Sequence, residues 1–331
     1  MIRSLRLVGL LLGAFVAIAA STGFARADSP FGVMLFPNPG EDFDLTLARA
    51  RGLGVGWFRP PTIALQSGSI GTPSVFTRSG LKLAITVRNS ADPSARSPAQ
   101  PPADVMAYRK SIAAVLAAWK PSLLVVENEE DSPTFYAGGA DAYAAELSTA
   151  CAVAHAAHTL CANGGLSGKA AASLTWLGFL TKGQADRACD FAQRALKGEK
   201  LCTYHKTADV PTNLRARLAG SAEALVQRYK TVPIDMVNFH WFGGDSRAFA
   251  EIAEYLSTVT GKPAITNEFG QRRGADDPNN VRPLLRAAIA EKIPLAIWYS
   301  VDTTGTVSLF GPDGRLRPTG WEFQRQLSGL R

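Results

Sequence analysis

A single (β/α)8 barrel is the fold that this sequence predicts, and three observations predict it. Eight short apolar runs recur along the 331 residues, and Ala- and Leu-rich segments of helical spacing separate them. Several runs are apolar on both faces, which is typical of parallel strands buried beneath helices. Some ~300 residues lie beyond an N-terminal leader, which suits one barrel. A doubly wound open sheet is the alternative, but no Gly-rich phosphate loop follows the first run.

The predicted strands and helices alternate in chain order. The strand runs are FGVMLF (31–36), GVGWFR (54–59), KLAITVRN (82–89), PSLLVVENE (121–129), TLCANGG (159–165), DMVNFHWF (235–242), KPAITNEF (261–268) and PLAIWYSVD (294–302). The clearest helical segments are 42–53, 103–119, 139–157, 246–260 and 279–292. Gly54 and Pro121 stand just beyond the first two of these helices, which indicates where they end.

The connection between predicted strands five and six, residues 166–233, is too long for a simple crossover. It contains one ordinary helix and extra material. In a barrel this segment follows the carboxyl end of a strand, and that face carries active sites. We therefore expect a wall or lid over a cleft. The alternative is a structural insertion remote from the chemistry.

Residues 1–27 predict a signal peptide, and residues 28–331 the barrel domain. Arg3 and Arg6 precede an uncharged apolar run over 7–20, and Ala25 and Ala27 occupy the small-residue positions before a cleavage site. A membrane anchor is the alternative, but that run is short against the ~20 residues of a spanning helix. We expect a periplasmic or secreted protein without a membrane anchor after cleavage.

The net charge gives no reason to expect a nucleic-acid partner. The formal charge is +7, and three of these charges, on Arg3, Arg6 and Arg26, leave with the leader, so +4 remains. The remaining basic residues are scattered and form no nucleic-acid motif.

The four cysteines predict disulfides, because an even number in an exported protein is typical of oxidised pairs. Three pairings are possible. Proximity in the sequence favours Cys189–Cys202 and suggests Cys151–Cys161.

A zinc site is the alternative for one cysteine pair. Cys151, His155 and His158 share one face of a predicted helix, and Cys161 could supply the fourth ligand. Buried helix residues with a nearby disulfide are the favoured interpretation, so no metal is expected.

Conspicuous side chains stand at the ends of six predicted strands. They are Arg59, Arg88, Asn89, Asn128, Glu129, His240, Trp241, Asn267, Glu268, Trp298 and Tyr299. The carboxyl ends of barrel strands form the face that carries active sites. Glu129 and Glu268 would therefore face each other across the barrel mouth.

Four of these strand ends resemble those of clan A glycoside hydrolases, which are retaining glycosidases on a (β/α)8 barrel. The matching stretches are VVENEEDSP (125–133), FHWFGG (239–244), AITNEFG (264–270) and AIWYSVD (296–302). In that family the acid/base follows an Asn at the end of strand four, and the nucleophile ends strand seven. The resemblance implies that Glu129 is the acid/base and Glu268 the nucleophile.

The resemblance also implies roles for five further side chains. Arg59 would lie beside the nucleophile and hold it ionised, and His240 would orient or contact it. Asn128 would hydrogen-bond the 2-hydroxyl group of the sugar. Trp298 would form the apolar floor on which a sugar ring stacks, and Trp241 would line the cleft wall.

The chemistry fits such a pair independently of the resemblance. A retaining mechanism needs two carboxyl groups ~5–5.5 Å apart. One must begin protonated and the other ionised, and repulsion from the ionised group keeps the proton on its neighbour.

The acidic stretch departs from the family pattern, in which Pro commonly follows the Asn-Glu pair. Here Glu130 and Asp131 follow it. In an ideal strand Glu127 and Glu129 point the same way, so Glu127 would need a cation such as Arg59 or Arg88. Glu127 would be the acid if the strand ended early, but Glu129 is favoured because it alone follows the Asn.

These observations predict an exported retaining glycosidase that cleaves a β-linked polysaccharide or oligosaccharide. No cofactor is expected, because acid/base and covalent catalysis by carboxylates needs none. A non-catalytic glycan-binding barrel of the cell envelope is the alternative. Metal-dependent hydrolysis is disfavoured, because the four histidines form no cluster at the strand ends. The sugar and the choice between endo and exo action stay open.

Overall fold

The computed structural model describes residues 29–35, 40, 42–92, 97–271, 276–302 and 307–330. The signal peptide predicted over residues 1–27 lies outside these ranges.

Eight parallel strands form the barrel, and a ninth short strand extends it. The strands are β1 Phe31–Met34, β2 Trp57–Arg59, β3 Ile63–Ala64, β4 Lys82–Arg88, β5 Leu123–Val126, β6 Leu160–Asn163, β7 Val237–Trp241, β8 Ala264–Phe269 and β9 Ala296–Tyr299. Around the barrel the order is β6, β5, β4, β2, β1, β9, β8 and β7. Bridges from Ala162 to Met236 and from Leu166 to Phe239 close it between β6 and β7. The predicted (β/α)8 barrel is confirmed.

The short strand β3 pairs with the end of β4 and is not one of the eight strands that form the barrel wall. The eight barrel strands correspond to the eight predicted runs. Barrel strand four is therefore β5, and barrel strand seven is β8.

Helices cover the outside of the barrel. They are α1 Phe43–Leu53, α2 Pro73–Thr77, α3 Val105–Trp119, α4 Ala140–Ala156, α5 Gly168–Thr181, α6 Ala185–Ala195, α7 Thr212–Ala219, α8 Ala222–Tyr229, α9 Ser246–Thr260, α10 Val281–Ala290 and α11 Pro318–Gly329. Asp42, Asp104 and Asp245 cap α1, α3 and α9 by accepting backbone N–H hydrogen bonds of the first turn. Within the described ranges, no helix has the length and apolar character to cross a membrane.

Both faces of the strands are buried, as the sequence pattern predicts. In β5, Leu123 and Val125 point into the barrel, whereas Leu124 and Val126 pack under the helices. Alternation along a strand produces this division. The interior side chains form a packed layer, so polar groups gather above it at the mouth.

The insertion between β6 and β7 holds α5 to α8 and two short 3-10 helices, Glu199–Thr203 and Thr207–Asp209. The Cys189–Cys202 disulfide ties α6 to the first of these. This predicted pairing is confirmed.

The Cys151–Cys161 disulfide joins α4 to β6, so the second predicted pairing is also confirmed. The zinc alternative is wrong for these residues, because the two sulfurs bond to each other. His155 instead pairs with Asp235 at 2.9 Å. In the part of the chain that the structure describes, no group of three His, Cys, Asp or Glu side chains has a metal-binding arrangement.

Candidate active site

The acidic stretch leaves the sheet before the end of the predicted run 121–129. Strand β5 ends at Val126, and Glu127 and Glu129 have φ angles of +70° and +41°. These left-handed conformations turn successive side chains away from simple alternation. The expectation that Glu127 and Glu129 point the same way is therefore wrong. Glu129 reaches the barrel mouth with 20% of its side chain exposed, whereas Glu127 is fully buried.

Glu127 is bound within the protein. Its Oε1 accepts a 2.5 Å hydrogen bond from the backbone N–H of Asn89, and its Oε2 lies 3.6 Å from Nε of Arg88. Burial, and then the charge of Glu146, raises the pKa of Glu127 well above its ordinary value. The cation beside Glu127 is thus Arg88 and not Arg59. The alternative that Glu127 is the catalytic acid is wrong, because no substrate can reach it.

The two acidic residues after Glu129 are also occupied. Glu130 accepts hydrogen bonds from Nδ2 of Asn163, at 2.7 Å, and from the hydroxyl group of Tyr229. Burial raises the pKa of Glu130 to about 7. Asp131 accepts bonds from the backbone N–H and the hydroxyl group of Ser167, at 2.7 and 2.6 Å. Glu127, Glu130 and Asp131 are thus occupied by other protein groups, and Glu129 is the acidic residue of this stretch whose side chain reaches the barrel mouth.

Glu268 stands near the end of β8 with 13% of its side chain exposed. Nη1 of Arg59 lies 2.6 Å from its Oε1 and also donates to the carbonyl oxygen of Asn267 at 3.0 Å. Burial opposes ionisation, but the charges of His240 and Arg59 outweigh it and lower the pKa of Glu268. Glu268 is therefore held as a carboxylate.

His240 connects the two carboxyl groups. Its Nδ1 lies 3.0 Å from Oε1 of Glu129 and 3.7 Å from Oε2 of Glu268. These two oxygens can therefore be no farther apart than the sum of the two distances. The structure thus brings together Glu129, Glu268, His240 and Arg59, which come from four different barrel strand ends.

The other ring nitrogen of His240 must carry a proton. Nε2 lies 3.0 Å from Oδ1 of Asn267, and that oxygen already accepts a 2.7 Å bond from Nδ2 of Asn238. An amide oxygen can only accept, so Nε2 donates. Burial lowers the pKa of His240, but Glu268 and Glu129 raise it more strongly, to about 9. The ring is an imidazolium at neutral pH.

Trp298 does not form a floor for a sugar. It is fully buried outside the barrel interior, against Phe269 and Phe323. This expectation is wrong because alternation along β9 turns Trp298 toward the helices and its neighbour Tyr299 inward. Tyr299 is partly exposed, packs on the interior layer and meets the ring of Phe242 edge to face at 5.6 Å. Tyr299 is therefore the aromatic candidate at this strand end.

Trp241 and Asn128 lie beside the carboxyl pair. Trp241 is 4% exposed and borders a large cavity together with Phe242. Asn128 is half-buried, and among the described residues its amide has no hydrogen-bond partner. Asn128 precedes Glu129 in the chain, whereas Trp241 contributes mainly to a wall of the cavity.

Sequence reasoning missed the buried amides that support this site. Nδ2 of Asn163 donates to the carbonyl oxygen of Asn238, whose backbone N–H donates to Oδ1 of Asn163 at 2.6 Å. Asn238 in turn binds Asn267. A signal existed, because an Asn inside the otherwise apolar runs TLCANGG and DMVNFHWF needs a buried partner.

Comparison with known proteins supports the fold. No family model matches the chain, and no curated protein matches its sequence. Solved structures do match. A GH128 (subgroup II) endo-beta-1,3-glucanase from Sorangium cellulosum has a TM-score of 0.53 and 14% identity, covering 89% of this chain and 97% of that one.

Two further solved structures represent other enzymes. A GH128 (subgroup I) endo-beta-1,3-glucanase from Amycolatopsis mediterranei, in complex with laminaritriose, has a TM-score of 0.52 and 14% identity over 90% of this chain and 99% of that one. An exo-beta-1,4-mannosidase from Opitutaceae bacterium strain TAV5 has a TM-score of 0.56 and 12% identity over 94% of this chain and 62% of that one. At these identities the likeness concerns the architecture.

Proposed function

We propose that this protein is an exported retaining glycoside hydrolase that cleaves β-linked polysaccharides or oligosaccharides. One observation carries the proposal. Two carboxyl groups, Glu268 on β8 and Glu129 after β5, share a buried histidine at the barrel mouth, and Arg59 pairs with Glu268. Glycosidases with this fold among the solved structures support the same reading.

Glu268 is the nucleophile in this proposal. Its pKa is lowered by two neighbouring cations, so the carboxylate is ready to attack the anomeric carbon. Attack forms a glycosyl ester with Glu268 while the bond to the leaving oxygen breaks. Oε1 of Glu129 and Oε2 of Glu268 both lie close to Nδ1 of His240. The two oxygens can therefore be ~5–5.5 Å apart, which is the separation in retaining enzymes.

Glu129 is the acid/base. It gives a proton to the leaving oxygen in the first step, then takes one from the water that hydrolyses the ester. Oε1 of Glu129 lies 3.0 Å from Nδ1 of His240, so the ring is placed to exchange a proton with this carboxyl group.

The remaining side chains bind the sugar. Tyr299 offers a partly exposed ring on which a sugar can stack, and Asn128 offers a free amide for a hydroxyl group. Export is part of the proposal because disulfides are typical of proteins in oxidising compartments, and the structure has two.

A screen of soluble β-glucans, β-xylans and β-mannans tests the function. New reducing ends should appear with the wild-type protein and not with Glu268→Gln. A Glu291→Gln variant, which removes an exposed carboxylate away from the barrel mouth, controls for charge. Tight glycan binding without hydrolysis by the wild type would instead favour the non-catalytic glycan-binding alternative.

A further inference from the structure

A cavity of about 1270 Å³ lies beside the proposed active site. It is enclosed by the start of α5, by segment 195–201, by one side of α7 and by residues 241–243 after β7. The Cys189–Cys202 disulfide fixes segment 195–201 against α6. The cavity exceeds the ~300–1,000 Å³ of most small-ligand pockets, so it has room for more than one sugar unit.

The cavity adjoins the end of β7, the strand that carries His240. Phe242 lines it and also packs on Tyr299. Gly168 lines it as well and lies close against the backbone of His240, since a Cβ on Gly168 would stand 3.1 Å from that carbonyl oxygen. A glycan held at Glu129 and Glu268 can therefore extend into the cavity.

The lining is strongly basic. It carries Lys169, Lys197, Lys200 and Arg217 but only one carboxylate, Glu199. We call these four cations the basic rim. Within the described ranges, none of the four lies within ion-pair distance of a carboxylate. The Nζ group of Lys169 donates only to the carbonyl oxygen of Arg217, at 3.2 Å.

Nearby arginines behave differently. Arg194 pairs with Asp190, Asp245 and Glu251 at 2.7 to 3.1 Å, and Arg187 pairs with Glu251 at 3.3 Å. These pairs join α6 to α9 and neutralise that surface. Among the described residues, four of the insertion's cations that have no carboxylate within ion-pair distance line the cavity, and the other three, Lys182, Lys206 and Lys230, lie outside its lining.

The start of α5 lines the cavity through Gly168 and Lys169. The N-terminus of this helix already has an acidic partner, because Asp131 accepts bonds from the backbone N–H and the hydroxyl group of Ser167. The positive charge of the lining therefore comes from its side chains. Aromatic side chains of Tyr204, Trp241 and Phe242 line the same space and suit the apolar faces of sugar rings.

We propose that the substrate is an anionic glycan, and that the basic rim binds its acidic groups while the adjoining aromatic side chains bind its rings. This inference rests on the proposed function. A neutral glycan gives the four cations nothing to pair with, whereas carboxylates on the sugar would neutralise them. The cleft would then select acidic polymers and position them across Glu129 and Glu268.

Matched ligand pairs test this inference by holding the sugar backbone constant. β-1,3-Glucan, β-1,4-glucan and β-1,4-mannan oligosaccharides would each be compared with the same oligosaccharide oxidised at C6 to the uronic acid. Binding is measured by calorimetry on full-length Glu268→Gln protein, which does not consume the ligand. At least one oxidised ligand should bind roughly tenfold more tightly than its neutral counterpart at low salt, and the difference should shrink as salt rises. Equal binding within every pair overturns the proposal.

Charge removal at the basic rim sharpens the test. Lys197→Gln, Lys200→Gln and Arg217→Gln, combined in the same background, should reduce the preference for the oxidised ligand to less than about threefold. The affinity for the neutral ligand should change little. A preference that survives this triple change overturns the proposal, because the acidic groups would then bind elsewhere.

A matched control removes three exposed cations from helices away from the cavity, at Arg109, Lys110 and Arg286. It should keep the full preference and the same thermal unfolding midpoint. The two proposals fail in distinguishable ways. Glu268-dependent hydrolysis without a charge preference would overturn only the acidic substrate. A rim-dependent preference without hydrolysis of any oxidised or neutral glycan would overturn only the glycosidase.

Discussion

The two strand ends that carry Glu129 and Glu268 hold their carboxyl groups in different ways. Glu268 lies between two cations, with Arg59 at 2.6 Å and His240 at 3.7 Å. Among the residues that the structure describes, the side chain of Glu129 bonds to His240, at 3.0 Å, and it is more exposed than that of Glu268. The two cations lower the pKa of Glu268 and favour its carboxylate. The proposed nucleophile and the proposed acid/base are therefore the same kind of side chain in different surroundings.

The backbones beneath these residues differ as well. Strand β8 continues to Phe269, so the sheet itself positions Glu268. Strand β5 ends at Val126, and side-chain bonds of Glu127, Glu130 and Asp131 hold the turn that presents Glu129. The neighbouring acidic side chains therefore give structural support to the turn that presents Glu129.

The largest effect should come from Glu268→Gln. An amide cannot form the glycosyl ester, so kcat should fall by roughly 10⁴-fold or more. Initial rates on the best substrate from the screen would measure this loss. Sodium azide should restore turnover to Glu268→Ala and yield a glycosyl azide of inverted configuration. Activity within tenfold of wild type would mean that Glu268 is not the nucleophile.

Glu129→Gln should have a smaller effect that depends on the substrate. Loss of general acid catalysis costs typically 10²–10⁴-fold. An aryl glycoside with an acidic phenol needs no proton on departure, so its glycosylation step should slow far less than that of a natural glycan. Pre-steady-state kinetics with both substrates would reveal the contrast, and an equal loss on the two would argue against the acid role.

Arg59→Gln should change the pH profile. The positive charge of Arg59 helps to lower the pKa of Glu268, so its removal raises that pKa. Glu268 must be ionised to react, and the acid limb of kcat/KM should move to higher pH. Activity at pH 5 should drop roughly three- to tenfold more than activity at pH 7. Arg59→Lys keeps a cation and serves as the control; an unmoved limb in Arg59→Gln would contradict the pairing.

The smallest effect concerns stability, at Glu130. Its pKa of about 7 in the folded protein exceeds the ordinary value of 4.5. The folded state therefore binds more protons than the unfolded state between these pH values, and the free energy of unfolding falls as pH rises through them. Glu130→Gln stays neutral and can still accept the bonds from Asn163 and Tyr229.

Urea unfolding measures this difference. Glu130→Gln should match the wild type near pH 4.5 and exceed its free energy of unfolding by about 1–3 kcal/mol at pH 8. Exposed Glu199→Gln provides the control. Parallel pH curves for wild type and Glu130→Gln would show that Glu130 does not resist ionisation.

The sequence was sufficient for the barrel and for the gathering of Glu129, Glu268, His240 and Arg59. Few chain topologies are compatible with strands and helices that alternate along the sequence, and parallel strands bring their carboxyl ends to one face of the barrel. The residues needed for this were visible as polar positions at the ends of apolar runs.

Side-chain direction was not predictable in the same way. Trp298 and Tyr299 are adjacent, so a one-residue error in the predicted alternation of the strand assigns the core residue to the cleft and the cleft residue to the core. The positive φ angles at Glu127 and Glu129 depend on tertiary bonds to Asn89, Asn163 and Ser167, which no local pattern encodes. The basic rim likewise depends on how the insertion folds back against β7.

The stereochemistry of the first product tests the central claim most directly. Proton NMR would follow the anomeric signals during the first minutes of hydrolysis of a β-linked substrate, before mutarotation. Displacement first by Glu268 and then by water activated by Glu129 predicts that the β-anomer appears first. Initial appearance of the α-anomer would mean direct attack by water, and would contradict the role of Glu268 as nucleophile.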